Sequence, residues 1–253
     1  MKIISVANQK GGVSKSTTAQ ALLTIFNNQN KKTIAIDLDP QSNLSYALNA
    51  NTMDVPTIYD LMKGDCEPTE VLQVTHSGDL LPSNILLSGA DTEFTTTGRE
   101  YILKELIYKH LQNYEYVIID CPPALNILTI NAFVASDYIV VPSMADIFSL
   151  QGMSQLNNTI LSVKKYCNSN LKIAGILLTK FNPRTNLSNH IKESLSQITT
   201  QIDTKLFETT IRNSVSIQES QLQQENILIS NKKSTAISDY EKFILELEEI
   251  ING

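Results

Sequence analysis

The 253-residue sequence predicts an α/β fold, a doubly wound, mostly parallel twisted sheet with helices on both faces. Three observations predict it. A short apolar run, Ile3-Ile4-Ser5-Val6-Ala7, leads into a glycine-bearing loop and then into a stretch of helical periodicity. A second apolar run ends in Asp37 and Asp39. A third, Tyr116-Val117-Ile118-Ile119, ends on Asp120. Apolar runs that close on carboxylates and alternate with helical segments are the pattern of parallel strands with a ligand site at their carboxyl ends.

The loop is Asn8-Gln9-Lys10-Gly11-Gly12-Val13-Ser14-Lys15-Ser16-Thr17-Thr18, and the segment from Thr18 to Asn28 carries Ala21, Leu22, Ile25 and Phe26 at helical spacing. Strand, glycine loop, Lys-Ser and helix is the layout of the phosphate loop of P-loop NTPases. Gly11 and Gly12 let backbone N–H groups approach a phosphate, and the helix N-terminus adds partial positive charge. Lys15 neutralises the outer phosphates, and Ser16 is placed to put a hydroxyl on Mg²⁺. The ordinary pattern, G-x-x-x-x-G-K-[ST], would put glycine at positions 9 and 14, where this chain has Gln9 and Ser14. It has instead a second lysine, Lys10, directly ahead of the glycine pair.

Further along, the carboxylates Asp37 and Asp39 sit where ligands bind in doubly wound sheets. Residues 51–97 are the least legible: a short helix over Thr57–Lys63 stopped by Gly64, a strand over Asp79–Ser83, a surface loop over Asp91–Gly98, and no assigned chemistry. A helix from about Arg99 to Gln112 precedes the strand that closes on Asp120, whose carboxylate fits a Mg²⁺ shell, usually through a water. Tyr138–Pro142 reads as a further strand, a long helix runs to about Cys167, and Lys172–Ser188 reads as a strand, a turn and the start of another helix. In the final helix, from about Ala236 to Ile251, one stripe is apolar and the other face is acidic. A membrane-surface helix would carry Lys and Arg there, so this one is expected to pack on the sheet.

Composition bounds the rest. No repeat or low-complexity linker divides the chain, so a single domain over 1–253 is expected. No apolar run approaches the ~20 residues of a membrane span, and a strand starting at residue 2 leaves no room for a signal peptide. Cys66, Cys121 and Cys167 are scattered and form no C-x-x-C, as expected of reduced cytosolic thiols. The net charge of −6, with only three arginines (Arg99, Arg184 and Arg212), argues against a constitutive nucleic-acid binder. It leaves room for a local basic patch, above all one assembled by dimerisation.

The loop resembles the deviant phosphate loop K-G-G-x-G-K-[ST]-T of the ParA/MinD family of P-loop ATPases, with Ser14 at the last glycine. Asp37-Leu38-Asp39-Pro40-Gln41-Ser42-Asn43 resembles the family's D-x-D-P-Q-G-N, and Asp120-Cys121-Pro122-Pro123 matches its D-C-P-P ending. Phe148-Ser149-Leu150-Gln151-Gly152 is similar to Y-A-L-E-G, and the stretch from Gly175 to Leu187 is similar to G-h-L-x-T-x-h-D-x-R-T-N-L. Phe207 to Val215 resembles V-I-P-R-N-V-R, with Ile211 in the place of proline and Ser216 in the place of the second basic residue. The likeness covers nearly the whole chain outside about 50–97.

What the resemblance implies is a partition ATPase of the Soj type, for a plasmid or chromosome, that uses ATP and Mg²⁺. Lys10, Lys15 and Asp39 would be catalytic; Lys10, Gly11, Gly12, Val13, Ser14, Lys15, Ser16, Thr17 and Arg212 would hold the nucleotide; Ser16, Asp39 and Asp120 would serve the metal. Asp39 would position the attacking water, with Asp37 closer to a structural role. The ATP state would be a homodimer in which Lys10 reaches the other subunit's phosphates. The helix around Leu128–Asp137 would cross that interface, with Asn131 read two ways, as a polar interface residue or as an exposed helix position. Non-specific DNA binding would fall to Arg184, Arg212, Lys232 and Lys233, although Arg212 is read equally as lining the adenine end of the pocket. With no DNA-binding extension expected ahead of the first strand, DNA contact would come from the ATPase domain itself. The implied trigger of hydrolysis is a ParB-like centromere-binding partner, and the implied location is cytoplasmic and nucleoid-associated. Two other readings stand beside this one: a nucleotide-locked binding module with negligible turnover, and a MinD-like positioning ATPase.

Overall fold

The computed structural model describes residues 1–184, 186–201, 204–230 and 234–253. Within them the chain opens with β1 (Lys2–Val6), α1 (Lys15–Asn28), β2 (Thr33–Asp37), α2 (Asn43–Ala47), α3 (Ile58–Lys63) and α4 (Pro68–Val71). It continues through β3 (Gln73–Thr75), β4 (Gly78–Leu81), α5 (Ala90–Glu93), α6 (Ile102–His110), β5 (Tyr116–Asp120), α7 (Ile127–Ala135) and β6 (Tyr138–Met144). The last part holds α8 (Ile147–Tyr166), β7 (Lys172–Thr179), α9 (Asn186–Gln201), α10 (Val215–Leu222), α11 (Ile227–Ser230) and α12 (Thr235–Asn252). Seven strands among the described residues form one sheet in the order β3-β4-β2-β5-β1-β6-β7. All neighbours are parallel except β3 and β4. The doubly wound expectation holds.

Side-chain alternation explains why both faces are covered. In β5, Val117 and Ile119 enter one core with α3, α6, α7 and α8, while Tyr116 and Ile118 enter a second core with α1 and α12. Both faces are therefore apolar, and the strands read as continuous hydrophobic runs. From β1 the chain crosses over α1 to β2 on one side of the sheet; from β5 it crosses over α7 to β6 on the other. The carboxyl ends of the adjacent strands β1 and β5 thus flank the point where the winding reverses, which is where such sheets form a crevice.

Four details depart from the sequence reading. The edge strand β3 is one it did not contain, and part of the expected loop at Asp91–Gly98 is helical, in α5. Arg99–Tyr101 is a 3₁₀ turn ahead of α6. The acidic face of α12 is not simply solvated: Asp239 is buried against Arg212, and Glu246 accepts the backbone N–H groups of Glu208 (2.9 Å) and Thr209 (3.2 Å). The opposite stripe of α12, with Tyr240, Phe243, Ile244 and Leu247, is buried in the core as expected. No helix of the described residues is long and apolar enough to cross a membrane.

Between β6 and β7 the register slips, with Ile139 opposite Ile173 but Val140 opposite Gly175. A Cβ on Gly175 would lie 2.7 Å from the ring of Phe207, which itself packs edge-on against Phe243 at 4.9 Å. Both rings are fully buried, so neither can swing away freely. Gly175→Ala is expected to cost about 1–3 kcal/mol. Thermal unfolding should show it as a fall of roughly 2–4 °C per kcal/mol; an unchanged midpoint would mean the aromatic pair is not fixed.

Candidate functional site

The loop after β1 is anchored before it turns. Asn8 is buried and donates through Nδ2 to Pro142 O at the end of β6 (2.7 Å), while its Oδ1 accepts the N–H of Lys10 (3.0 Å). Gly12 takes φ +75°, a left-handed conformation natural to glycine, and a Cβ on Gly11 or Gly12 would meet no protein atom within 4 Å. The loop thus leaves open space beside both glycines, enough for a ligand to reach the backbone. Ser14 precedes α1 in the left-handed region (φ 67°) and its side chain caps nothing, so the first turn of α1 keeps its N–H groups without a side-chain acceptor. Both serines that stand where the family has glycine are left-handed, since Ser42 has φ 54°.

Above this turn lies a cavity of about 650 Å³. Gly11, Gly12, Ser14, Lys15, Ser16, Thr17 and Asp39 line one end. Tyr46, Ile211, Arg212, Asn213, Ile217, Gln218, Gln221 and Leu222 line the other. The first end is cationic and rich in N–H groups, suited to phosphates; the second mixes apolar walls with amides, suited to a base. The second end is what the sequence reading missed apart from Arg212. Gln221 is set there by donating to Gln20 Oε1 (2.9 Å) and Thr17 Oγ1 (3.2 Å), links of more than 200 positions that no local pattern encodes.

Lys15 is buried and donates to Lys10 O at 3.0 Å. Burial lowers its pKa, opposed by the nearby carboxylates of Asp120 and Asp39. Asp120 is fully buried, and neither carboxylate oxygen has a hydrogen-bond partner. Burial, then the charge of Asp37, raises its pKa well above the usual range; Ser16 and Lys15 offset part of that rise, the Ser16 hydroxyl without completing a hydrogen bond. An orphaned buried carboxylate is costly and calls for a missing ion or water. Beside a serine hydroxyl and the phosphate cradle, it fits Mg²⁺, a hard cation that takes oxygen donors and keeps several waters. Among the described residues no group of three His, Cys, Asp or Glu side chains converges, so phosphate oxygens and water would complete such a shell.

Asp37 and Asp39 divide their roles by environment. Asp37 is fully buried and accepts from Asp39 N (3.1 Å), Ser45 N (2.9 Å) and Ser45 Oγ (2.7 Å). Burial raises its pKa to about 6 against those hydrogen bonds. Asp39 lines the cavity, and its Oδ1 accepts the N–H of Gln41 (3.0 Å). Ser83, from the stretch to which the sequence assigned no chemistry, donates to Asp39 O at 2.8 Å, and its N–H donates to Ser45 Oγ at 3.1 Å. Ser45 and Ser83 are therefore the framework of the Asp39 loop.

Other predicted residues fall elsewhere. Lys10 does not line the cavity but forms an ion pair with Asp146, just before α8. Val13 turns its side chain into the protein and can serve a ligand only through its backbone. Arg212 lines the base end, where its guanidinium is held by Asp239 (Nε–Oδ2 2.8 Å, Nη2–Oδ1 2.7 Å). Arg184 is exposed on the turn after β7, with no ion pair among the described residues. Lys232 and Lys233 lie outside the described residues. Asn131 is a correction: it is neither at an interface nor exposed. It is fully buried in its own subunit, accepting from Leu103 N (3.0 Å) and donating to Arg99 O (2.8 Å) and Ile127 O (3.0 Å). It caps the start of α6, whose backbone groups would otherwise be unpaired.

Comparison with known proteins agrees with this geometry. A family model described as an AAA domain matches residues 1–173. The chain is 36% identical over 243 residues to the sporulation initiation inhibitor protein Soj of Bacillus subtilis, covering 94% of this chain and 95% of that one. It is 34% identical over 250 residues to the chromosome-partitioning ATPase Soj of Treponema pallidum, covering 97% and 96%. A solved structure titled cobyrinic acid a,c-diamide synthase from Mycobacterium smegmatis, with a bound ATP analogue and magnesium, superposes with a TM-score of 0.80 at 30% identity, covering 96% of this chain and 92% of that one.

Proposed function

Since the chain belongs to the Soj/ParA family of P-loop ATPases, we propose that it is a partition ATPase whose cavity takes ATP with Mg²⁺ and whose ATP state dimerises on DNA. The observation that carries the nucleotide reading is the unpartnered Asp120 carboxylate beneath a cradle of glycines, Lys15 and uncapped helix N–H groups. Bound Mg²⁺ would offset charge on the phosphate oxygens. Lys15 neutralises the outer phosphates, the first turn of α1 donates to them, and Asp39 orients the attacking water. Tyr46, Ile217 and Leu222 enclose the base.

Lys10 belongs to the dimer step. Its ion pair with Asp146 keeps the ammonium within its own subunit; in the closed dimer it exchanges that carboxylate for the opposite triphosphate. Closure brings Arg184 of both subunits onto one surface. Doubling such contacts doubles the counterions released, so affinity for DNA rises and becomes salt-dependent without reading base edges. Arg212, already balanced by Asp239, serves the nucleotide more than the DNA. Hydrolysis dissolves the dimer and releases DNA, with a ParB-like centromere-binding protein as the trigger, and the working location is the nucleoid.

The test is retardation of random-sequence duplex DNA with no nucleotide, with ADP, with ATP and with a slowly hydrolysed analogue, at two salt concentrations. Retardation is expected only with ATP or the analogue, weaker at high salt. Arg184→Glu should lower it by at least about tenfold, as two phosphate contacts become repulsive in the dimer, while ATPase activity stays. Equal retardation in every nucleotide state would break the switch; full retention by Arg184→Glu would place the DNA surface elsewhere.

A further inference from the structure

Two cavity-lining residues other than glycine hold left-handed backbone: Ser14 at φ 67° and Lys180 at φ 50°. Each conformation is unfavourable for an L residue and persists only where the surroundings enforce it. At Lys180 the enforcement is visible. Ile211 N donates to Leu178 O (2.8 Å) and Phe181 N donates to Ile211 O (2.9 Å), pinning the chain on either side of the kink. The kinked strand end turns two consecutive side chains onto the phosphate loop. Thr179, buried, has its Oγ1 3.0 Å from Val13 O, and Lys180 Nζ donates to Gly12 O at 2.9 Å. In a trans peptide the carbonyl and the following N–H point oppositely. Holding the carbonyls of Gly12 and Val13 therefore fixes the direction of the N–H groups of Val13 and Ser14, the groups a phosphate would take.

We propose that Thr179 and Lys180 are positioning residues that clamp the phosphate loop in its binding conformation, and that the clamp offsets the presence of serine where glycine would rest unaided. Glycine at position 14 would adopt φ 67° without strain; serine tends to leave it, and leaving it would rotate the N–H groups away from the phosphate. The proposal rests on the nucleotide reading of the cavity for its functional consequence, but the clamp itself acts before any nucleotide arrives.

The experiment is a cycle of four proteins: the native chain, Lys180→Met, Ser14→Gly and the double variant. Fluorescence anisotropy with labelled ADP and Mg²⁺ gives the affinity, and hydrogen exchange of a loop peptide spanning 8–18 gives its order without nucleotide. Lys180→Met should weaken ADP roughly fivefold in the native background, the scale of one charge-assisted hydrogen bond at an exposed site. The same change should cost less than about twofold once Ser14 is glycine. Loop exchange should speed up in Lys180→Met and return towards native in the double variant. Equal losses in both backgrounds would mean that Lys180 acts on the nucleotide by charge alone, and no loss in either would mean it acts on nothing; both overturn the clamp. Should the native chain bind no ADP, the nucleotide reading falls, while unchanged or accelerated loop exchange still decides the clamp. Thr179→Val, which keeps shape and removes the hydroxyl, should repeat the Lys180→Met exchange pattern; native exchange in it would also count against the clamp.

Discussion

Lys15→Ala is expected to abolish ATP binding, raising Kd by ~100-fold or more as a charge-assisted contact to the phosphates is lost from a desolvated site. The ammonium lies buried between the loop carbonyl of Lys10 and the carboxylates of Asp120 and Asp39. In that setting it has two jobs. It would attract phosphate, and it offsets two acidic groups that would otherwise repel phosphate across a poorly solvated gap. Alanine removes both, so the loss should exceed that from an exposed lysine. Titration calorimetry with ATP and Mg²⁺ measures it. A Kd within about threefold of native would mean that the cradle binds through backbone alone. Thermal unfolding of the nucleotide-free variant is the control, since Asp120 then loses a nearby positive charge; protonation of Asp120, already favoured by burial, should soften that effect.

Asp39→Asn is expected to bind ATP with near-native affinity and to lose turnover by on the order of 100-fold or more, the usual contribution of a positioned acid–base group. Asparagine is the informative replacement because Asp39 Oδ1 also accepts the N–H of Gln41, and an amide oxygen can keep that hydrogen bond. Asp39→Ala removes the carboxylate charge and the turn contact together. If both variants lose turnover equally, chemistry is the cause. If asparagine is active and alanine is not, Asp39 matters only as a turn residue, and the catalytic assignment is wrong. Phosphate release at saturating ATP separates the cases from any change in affinity.

The framework of the fold was legible because its strands are buried on both faces. Runs such as Ile3–Ala7 and Tyr116–Asp120 have no competing reading once a glycine loop follows the first and a carboxylate closes the second. β3 was not legible: Gln73-Val74-Thr75 is three residues at a half-exposed edge, too short for any period to appear. Asn131 misled because an amide side chain in the apolar helix α7 looks like a surface position. Its partners, Leu103 N and Arg99 O, are about 30 positions away, and only folding shows that it is a buried cap. At the site, the phosphate end could be read because most of its lining is nearly continuous in sequence, from Gly11 to Thr17. The base end could not: Tyr46 lies on α2 whereas Ile217 and Gln221 lie on α10, and no sequence pattern joins two helices so far apart in the chain. Ser83 belongs to the same class, a residue whose role exists only through Ser45 and Asp39.

The union of Tyr240, Asp239 and Arg212 makes the cavity a shared product of segments far apart in the chain. Tyr240 lines the cavity and hydrogen-bonds Thr18 (3.2 Å) from α12, and Asp239 fixes Arg212 from the same turn. One wall of the chamber is thus carried by a helix that contains none of the loop's own residues. A change that loosens α12 would open the chamber while leaving the glycine loop intact in sequence.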